Sequence, residues 1–428
     1  MLDINFITEN TEKVKWACEV KNLNPKVVDE VLRLDEEAGS LRREVEELRG
    51  ERNSLVVGLR EKPSEEQVRW GQEVKERLKD MEPQLNKMEG ALRELMFQVP
   101  NVPAEDVPVG KDESRNKIVR EEGDKPKFNF KVRDHVELGE KNDLIDLERG
   151  VKIGGFRGFF TRNEAVLMEY GLLDLAMRHM VAQGFCPMTV PWMVKDEALW
   201  GTGYFPWGLD DHYTTQDGEK LIGTAEVSLT AYYSGEVLNE NDLPVKLVGI
   251  SPCFRREVGT YGKDSRGIFR LHQFNKVEQV VLSVADEADS REWHEKMLSY
   301  SEHILKILGL PYRVVLMCTG DLGAPHRKKY DLDTWFPAQE KYRETHSDSY
   351  FLDFQARRLN MRYRAKDGSL KYVYTLNNTV VATPRILAAI WENYQNEDGS
   401  IRVPEVLVPY VGKEVISPNG LDYSSGKI

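Results

Sequence analysis

Two runs of heptad-spaced apolar residues, separated by a short proline-containing break, limit what the first quarter of this chain can become. In the first run Val31, Leu34, Ala38, Leu41, Val45, Leu48, Leu55 and Leu59 alternate spacings of three and four, with Arg52 filling the one gap. That is the seam of a coiled coil, not the broader stripe of a globular helix. Residues 61–67 interrupt it: Pro63 breaks the helix, and Ser64 is a candidate N-cap for the next. The second seam runs through Val74, Leu78, Met81, Leu85, Met88, Leu92 and Leu95. Heptads alone would favour a dimerising coiled coil, but the short proline-containing connection tips the balance towards two helices of one chain pairing antiparallel. Each would extend about 40 Å at about 1.5 Å per residue, so the hairpin is expected to project from its body. Off the seam, Arg42, Arg43, Arg49, Arg52 and Arg60 could meet a phosphate backbone. Interleaved glutamates make ion pairing on a solvated face the simpler expectation.

A Pro- and acid-rich segment, 99–114, reads as the linker ending this arm, which spans 1–110. The remaining 111–428 carry strand and helix patterns in mixture, giving an α+β chain overall. Its 428 residues suit two or three domains. No window approaches the roughly twenty apolar residues of a membrane span, and the opening MLDINFITENTEK lacks the apolar core of a signal peptide. A cytoplasmic protein without a membrane partner is therefore expected. Cys18, Cys186, Cys253 and Cys318 are scattered without metal-ligand spacing, so reduced, buried thiols are expected. The net charge of −12 does not exclude nucleic acid, because affinity for phosphates depends on where Lys and Arg cluster.

Within the body, residues 245–279 read as two strands around a charged, glycine-rich turn at 259–267. Residues two apart on a strand share a face, so Arg255 and Glu257 would point one way, and so would Arg270, His272, Phe274 and Lys276. A guanidinium for phosphate, a carboxylate for an amino group and a ring for a base are a kit for a nucleotide. Arg-x-Glu alone would favour a salt-bridged surface hairpin; the length of the pattern and what the rest of the chain supplies weigh against that. Upstream, 163–183 read as a helix with apolar Val166, Leu167, Tyr170, Leu173, Leu175 and Met177. A β-rich run with Pro187 and Pro191 follows (184–194), suited to an edge or an interface.

Three further stretches could carry chemistry. In 223–227, Thr224 and Glu226 would share a strand face, where they could hold an ammonium group or equally form a capping or surface pair. Glu344 and Ser347 are hard oxygen ligands of the kind Mg²⁺ accepts beside phosphates. In 374–395 a strand runs into a helix, with Pro384 in the first turn and Arg385 near the positive N-terminus, where it could meet an anion.

Together the GF-x-x-M-x-x-P run at 184–191, the F-R-x-E of 254–257 and the TPRILAAIWE of 383–392 resemble motifs 1, 2 and 3 of class II aminoacyl-tRNA synthetases. The helical hairpin, the TAE triplet and the R-E-T-H-S segment make the chain similar to bacterial-type seryl-tRNA synthetases along essentially its whole length. The resemblance implies a catalytic domain on a mostly antiparallel sheet flanked by helices, and ligation of L-serine to tRNA(Ser) at the expense of ATP. It leaves selenocysteine tRNA open as a second acceptor. It implies that Arg255 and Arg385 are catalytic, Arg255 on the α-phosphate of ATP and Arg385 on the γ-phosphate. Glu257 would take the adenine amino group, and Phe274 would stack on the base beside Leu271. Arg256, Glu344, Thr345, His346 and Ser347 would complete the ATP site, with Glu344 and Ser347 ligating Mg²⁺. Thr224, Ala225 and Glu226 would take the serine ammonium, while Glu278, Asn377 and Thr379 would read its hydroxyl. The arm would embrace tRNA(Ser), the loop 258–269 would meet the acceptor end, and two chains would form a homodimer with Pro191 at the interface.

No general base stands out. Two positions depart from the family's pattern: Gly223, where proline is common, would loosen a strand, and Asp348, where a small residue is common, would add negative charge near the metal. A ligase that loads a carrier protein would lack the two seams. A decayed, non-catalytic tether would have lost Arg255, Glu257, Glu278 or Arg385.

Overall fold

The computed structural model describes residues 1–57, 64–259, 264 and 266–418, the side chains of 55–57 excepted. Leu59, Arg60, the 61–63 part of the break and residues 260–263 and 265 of the charged turn lie outside the described residues, as does the side chain of Leu55. The chain divides into two compact units, Met1–Val102 and Pro103–Ile428.

In the first unit the seams form helices α1 (Lys26–Val57) and α2 (Glu65–Gln98). Ser64 caps α2 in a full capping box: its side chain accepts from the Gln67 amide, and the Gln67 side chain accepts from the Ser64 amide. Val45 and Leu48 pack against Val74, Leu78 and Leu85, flanked by Leu41 and Met81. Arg42 pairs with Glu89 at 2.7 Å, Arg49 with Glu82 at 2.8 Å and Arg77 with Glu44 at 2.8 Å. Arg42 and Arg49 meet Glu89 and Glu82 in opposite order along the two helices, as an antiparallel pair requires. Arg42 and Arg49 are thus ion-paired as expected. All six side chains are about half exposed, so each pair contributes about 1 kcal/mol or less.

The second unit is built on one eight-stranded sheet. In chain order its strands are β1 (Lys117–Glu122), β2 (Cys186–Thr189), β3 (Val245–Phe254), β4 (Gln273–Ser283), β5 (Tyr312–Leu316), β6 (Lys328–Phe336), β7 (Lys341–Leu352) and β8 (Tyr374–Ala382). They lie side by side as β1-β5-β6-β7-β8-β4-β3-β2. Every pairing is antiparallel except β2 with β3. Pro187 sits in β2, an edge strand, where a missing N–H donor does least harm. Of the expected linker, the part from Pro103 on belongs to this unit: Ala104 and Val107 pack on Leu322, and Lys328 pairs with Asp106 at 2.6 Å.

Helix α3 (Glu164–Ala182) buries Ala165, Met168, Leu172, Ala176 and Met180, while Leu167 and Tyr170 of the expected apolar set are exposed. The helix carries apolar residues on two faces, so periodicity alone did not choose the buried one. Helix α4 (Glu287–Ile307) covers one face of the sheet: the amides of Gln279 on β4 and Asn378 on β8 donate to the Met297 carbonyl. Helix α5 (Thr383–Asn393) continues directly from β8 and is almost wholly buried, with Trp391 at its core. Cys186 is exposed, contrary to the expectation of four buried thiols, because it lies on the edge strand; Cys18, Cys253 and Cys318 are buried. No helix among the described residues is long and apolar enough to cross a membrane.

Candidate active site

Alternation along the central strands builds a cleft on the side of the sheet away from α4. Glu278 on β4 pairs with Thr379 on β8, and Asn377 pairs with Ser349 on β7. These four side chains line a cavity of about 130 Å³, together with Arg255, Glu257, Phe274, Glu344, Ser347, Arg385 and Glu226. Their neighbours Gln279, Asn378 and Asp348 form the next row and face α4.

The arrangement of Arg255 and Glu257 differs from the expected strand. β3 ends at Phe254, and Glu257 has φ +54°, a left-handed conformation that costs a non-glycine residue on the order of 1 kcal/mol. The backbone turn, not strand alternation, brings both side chains to the cavity. Arg255 donates through Nε to the Gly223 carbonyl (3.2 Å) and lies 5.3 Å from the centre of the Phe274 ring. Arg270 donates to Glu257 Oε2 at 2.5 Å. β4 begins only at Gln273, so the alternation expected from Arg270 fails at His272, whose Nδ1 lies 3.0 Å from the Arg255 carbonyl and which does not line the cavity. Arg256 also points away: its guanidinium donates to the Asp210 carbonyl (2.8 Å) on the exposed side.

Glu344 and Ser347 are three apart and would face opposite ways on a regular strand. The register of β6 with β7 shifts by one between Leu332 and Asp333: His346 pairs with Leu332 and Glu344 with Asp333, leaving Thr345 as an extra residue. This bulge turns both oxygens to the cavity. Thr345 donates to the Leu332 carbonyl (3.1 Å), and the buried His346 is held neutral, its pKa lowered to about 4 by burial. Both line the cavity wall. Arg385, in the first turn of α5, donates to the Glu344 carbonyl (2.6 Å) and lies 3.4 Å from its Oε2. The Glu344 side chain lines the cleft while staying about half exposed, and its partial loss of water there opposes ionisation. Arg385, Lys329 and Arg255 outweigh that and hold its pKa at about 2. Arg343 and Arg385 both lie against the Phe269 ring, at 4.1 and 4.7 Å, and Arg343 also grips both oxygens of Asp264 at 2.8 Å.

The triplet 224–226 is not a strand: Glu226 opens a short helix, Glu226–Thr230, and Ala225 is already helical. Thr224 and Ala225 are buried beneath it and do not line the cavity. The Thr224 hydroxyl accepts from the Glu226 amide at 3.2 Å, so it fixes Glu226 from below. Burial and the nearby Glu278 push the Glu226 carboxyl up to about 7. Lys276, 2.5 Å from Glu278 and buried with it, balances the second carboxylate. Lys276, Arg270 and Tyr204 complete the cavity, with Arg343 beside it on Phe269; Arg270 and Lys276 were expected on its face without a specific role, and Tyr204 and Arg343 were not singled out. For Lys276 the signal was present, since it alternates with Phe274 and Glu278 on β4.

Neither departure from the family pattern acts as expected. At Gly223 an added Cβ would meet only ordinary contacts, the nearest 3.6 Å away, and the residue precedes a helix instead of entering a strand. Asp348, next to Ser347, points to the other face. It is buried against α4, with Oδ2 3.2 Å from His294 Nε2. Burial pushes its pKa well up and lowers that of His294 to about 3, so both groups are neutral. Asp348 adds no charge to the cavity.

Comparison with known proteins gives a consistent picture. Residues 1–103 match the seryl-tRNA synthetase N-terminal domain, and residues 213–394 match the tRNA synthetase class II core domain (G, H, P, S and T). The chain is 42% identical over 421 residues to the serine–tRNA ligase of Deinococcus radiodurans, covering 97% of this chain and 99% of that one. It is 40% identical to that of Treponema denticola, with 96% and 99% covered. Among solved structures, seryl-tRNA synthetase from Pyrococcus horikoshii complexed with ATP superposes with a TM-score of 0.91 at 38% identity, over 98% of this chain and 100% of that one. A cytoplasmic serine–tRNA ligase from Naegleria fowleri in complex with AMP gives 0.86 at 32%, over 97% and 99%.

Proposed function

The chain belongs to the seryl-tRNA synthetase family and is an ATP-dependent serine–tRNA ligase, and from that premise we propose how its residues divide the reaction. The serine carboxylate attacks the α-phosphorus of ATP, pyrophosphate leaves, and the terminal ribose hydroxyl of tRNA(Ser) then takes the seryl group and releases AMP. Little covalent chemistry falls to the protein, so it acts by orientation and by stabilising charge.

In this reading Arg255 holds the α-phosphate and Arg385 the γ-phosphate, Glu257 accepts from the adenine amino group, and Phe274 with Leu271 receives the base. Glu226 takes the serine ammonium, with Thr224 and Ala225 supporting it. Glu278, Asn377 and Thr379 read the hydroxyl, a polar floor that an analogue without a hydroxyl would leave unpaired. Glu344 and Ser347 would hold Mg²⁺. The fit lies in the donor set: an ionised carboxylate and a hydroxyl turned to one cavity by the Thr345 bulge, leaving the other positions to water and phosphate oxygens. When bound, the ion neutralises charge on the leaving pyrophosphate. Arg256 lies outside the cavity and is not assigned a part in ATP binding.

The arm α1–α2 is proposed to contact tRNA(Ser) by shape and backbone charge, and the loop 258–269 to meet the acceptor end. Homodimerisation is supported by an exposed apolar patch at this place: Met193 and Tyr232 line a shallow groove with Pro191, and the neighbouring Trp192 is half exposed. The enzyme is proposed to act in the cytoplasm. The observation that carries the reading is the convergence of Arg255, Arg385, Glu344 and Glu226 on one cavity from four separate segments. It is tested by serine-dependent exchange of pyrophosphate with ATP. Arg255→Ala should abolish exchange, and retention of wild-type exchange would overturn the assignment.

A further inference from the structure

Tyr204 lies 22 residues upstream of Glu226, in a turn that no motif includes, yet it lines the cavity. Its hydroxyl donates to Glu226 Oε2 at 2.7 Å. On the other side the Gln355 side-chain amide donates to Glu226 Oε1 at 3.1 Å and to the Thr202 carbonyl at 2.8 Å. Gln355 is wholly buried, and the Thr375 hydroxyl donates to its Oε1 at 2.6 Å, which fixes the amide with its N–H groups towards Glu226. The turn that carries Tyr204 is itself pinned. Buried Arg358 donates to the carbonyls of Trp200 and Phe205, on either side of it, and the His212 ring packs edge-on against the tyrosine at 5.7 Å.

We propose that Tyr204 is a positioning residue for amino-acid binding: with Gln355 it clamps the Glu226 carboxylate, one donor on each oxygen, and so presents it to the serine ammonium in a fixed orientation and in its charged form. This rests on the reading of Glu226 as the ammonium partner. The charge around the clamp makes the second half of the role necessary. Glu226 faces the carboxylate of Glu278, which is only partly balanced by Lys276. Arg255 lies across the same cavity, and Arg358 is directed to backbone carbonyls. Burial and Glu278 both oppose ionisation of Glu226, and the hydrogen bond from Tyr204 is the leading influence that favours it. A tyrosine with a hydroxyl donor can do this; a phenylalanine of the same shape cannot.

The test is Tyr204→Phe in the full-length enzyme, with KM for serine measured by pyrophosphate exchange from pH 6 to pH 9 and KM for ATP as control. Loss of the donor makes Glu226 harder to ionise. The fall of serine KM with rising pH should therefore move to higher pH by roughly one unit, giving a several-fold rise at pH 7 that shrinks by pH 9, with KM for ATP unaffected. A profile superimposable on wild type, or a rise of the same size at every pH, overturns the proposal. Glu226→Gln separates the two readings. If it keeps the wild-type serine KM, the ammonium assignment fails; if it loses serine while Tyr204→Phe leaves the profile unmoved, only the clamp fails.

Discussion

Replacing Glu226 by glutamine should stabilise the free enzyme in a pH-dependent way while it cripples serine binding. The folded carboxyl titrates near 7, against about 4.5 for an ordinary glutamate, because it is buried and faces Glu278. A folded value above the unfolded one means that the native state binds the proton more tightly. Native stability is therefore lost as pH rises from about 4.5 to about 7, and the loss is complete above that. At about 1.4 kcal/mol for each tenfold in the protonation equilibrium, the full cost is about 3 kcal/mol. Glutamine does not titrate and escapes it. Glutamine can keep a partner on each side, its carbonyl oxygen accepting from the Gln355 amide and its own amide donating to the Tyr204 hydroxyl, and any cost of that exchange does not vary with pH. The informative quantity is thus the difference between pH 5 and pH 8.5. Thermal unfolding of both proteins at the two pH values should show the variant gaining on wild type by about 3 kcal/mol, on the order of 5 °C, as pH rises. Parallel behaviour of the two proteins across this range would refute the claim that Glu226 is held in its charged form against its surroundings.

Arg385→Ala should lower kcat/KM for ATP in exchange by about 10²- to 10³-fold, since the residue supplies both a fixed charge and the hold on Glu344; a loss below tenfold would remove it from the phosphate site. Asp348→Asn should leave the Mg²⁺ concentration for half-maximal exchange unchanged, because the side chain faces His294 and not the cavity; a shift of several-fold would contradict its placement. Leu48→Ala should destabilise the arm by about 3 kcal/mol, seen as faster proteolysis within α1, with exchange intact. Removing the arm between Val31 and Leu95 should spare exchange and cripple tRNA charging; charging that survives the deletion would overturn the role given to α1 and α2.

The heptad seams and the Ser64 cap were legible because they depend on local spacing and on one side chain meeting its own backbone. The nucleotide kit was legible as a set of residues but not as geometry. Strand alternation was invoked for Arg255 and Glu257, whereas a left-handed Glu257 beyond the end of β3 is what turns them together. Alternation would have set Glu344 and Ser347 on opposite faces; the Thr345 bulge that unites them depends on the register of a partner strand. The same dependence hid Asp348, whose direction is the opposite of Ser347 once the register is known. Thr and Val around 223–227 favoured a strand, but tertiary packing made Glu226 the start of a helix. Tyr204 and Gln355 were illegible for another reason. A tyrosine in a Gly-Pro turn and a glutamine in a helix have no chemistry until the fold sets them on either side of one carboxylate.

The most direct test of the site as a whole is pyrophosphate exchange by the wild-type enzyme with serine, alanine, glycine and threonine in turn. A floor of Glu278, Asn377 and Thr379 that reads a hydroxyl should favour serine over alanine by a factor on the order of 10⁴ in kcat/KM, because alanine leaves buried polar groups without a partner. Exchange with alanine or glycine at rates comparable to serine would contradict it.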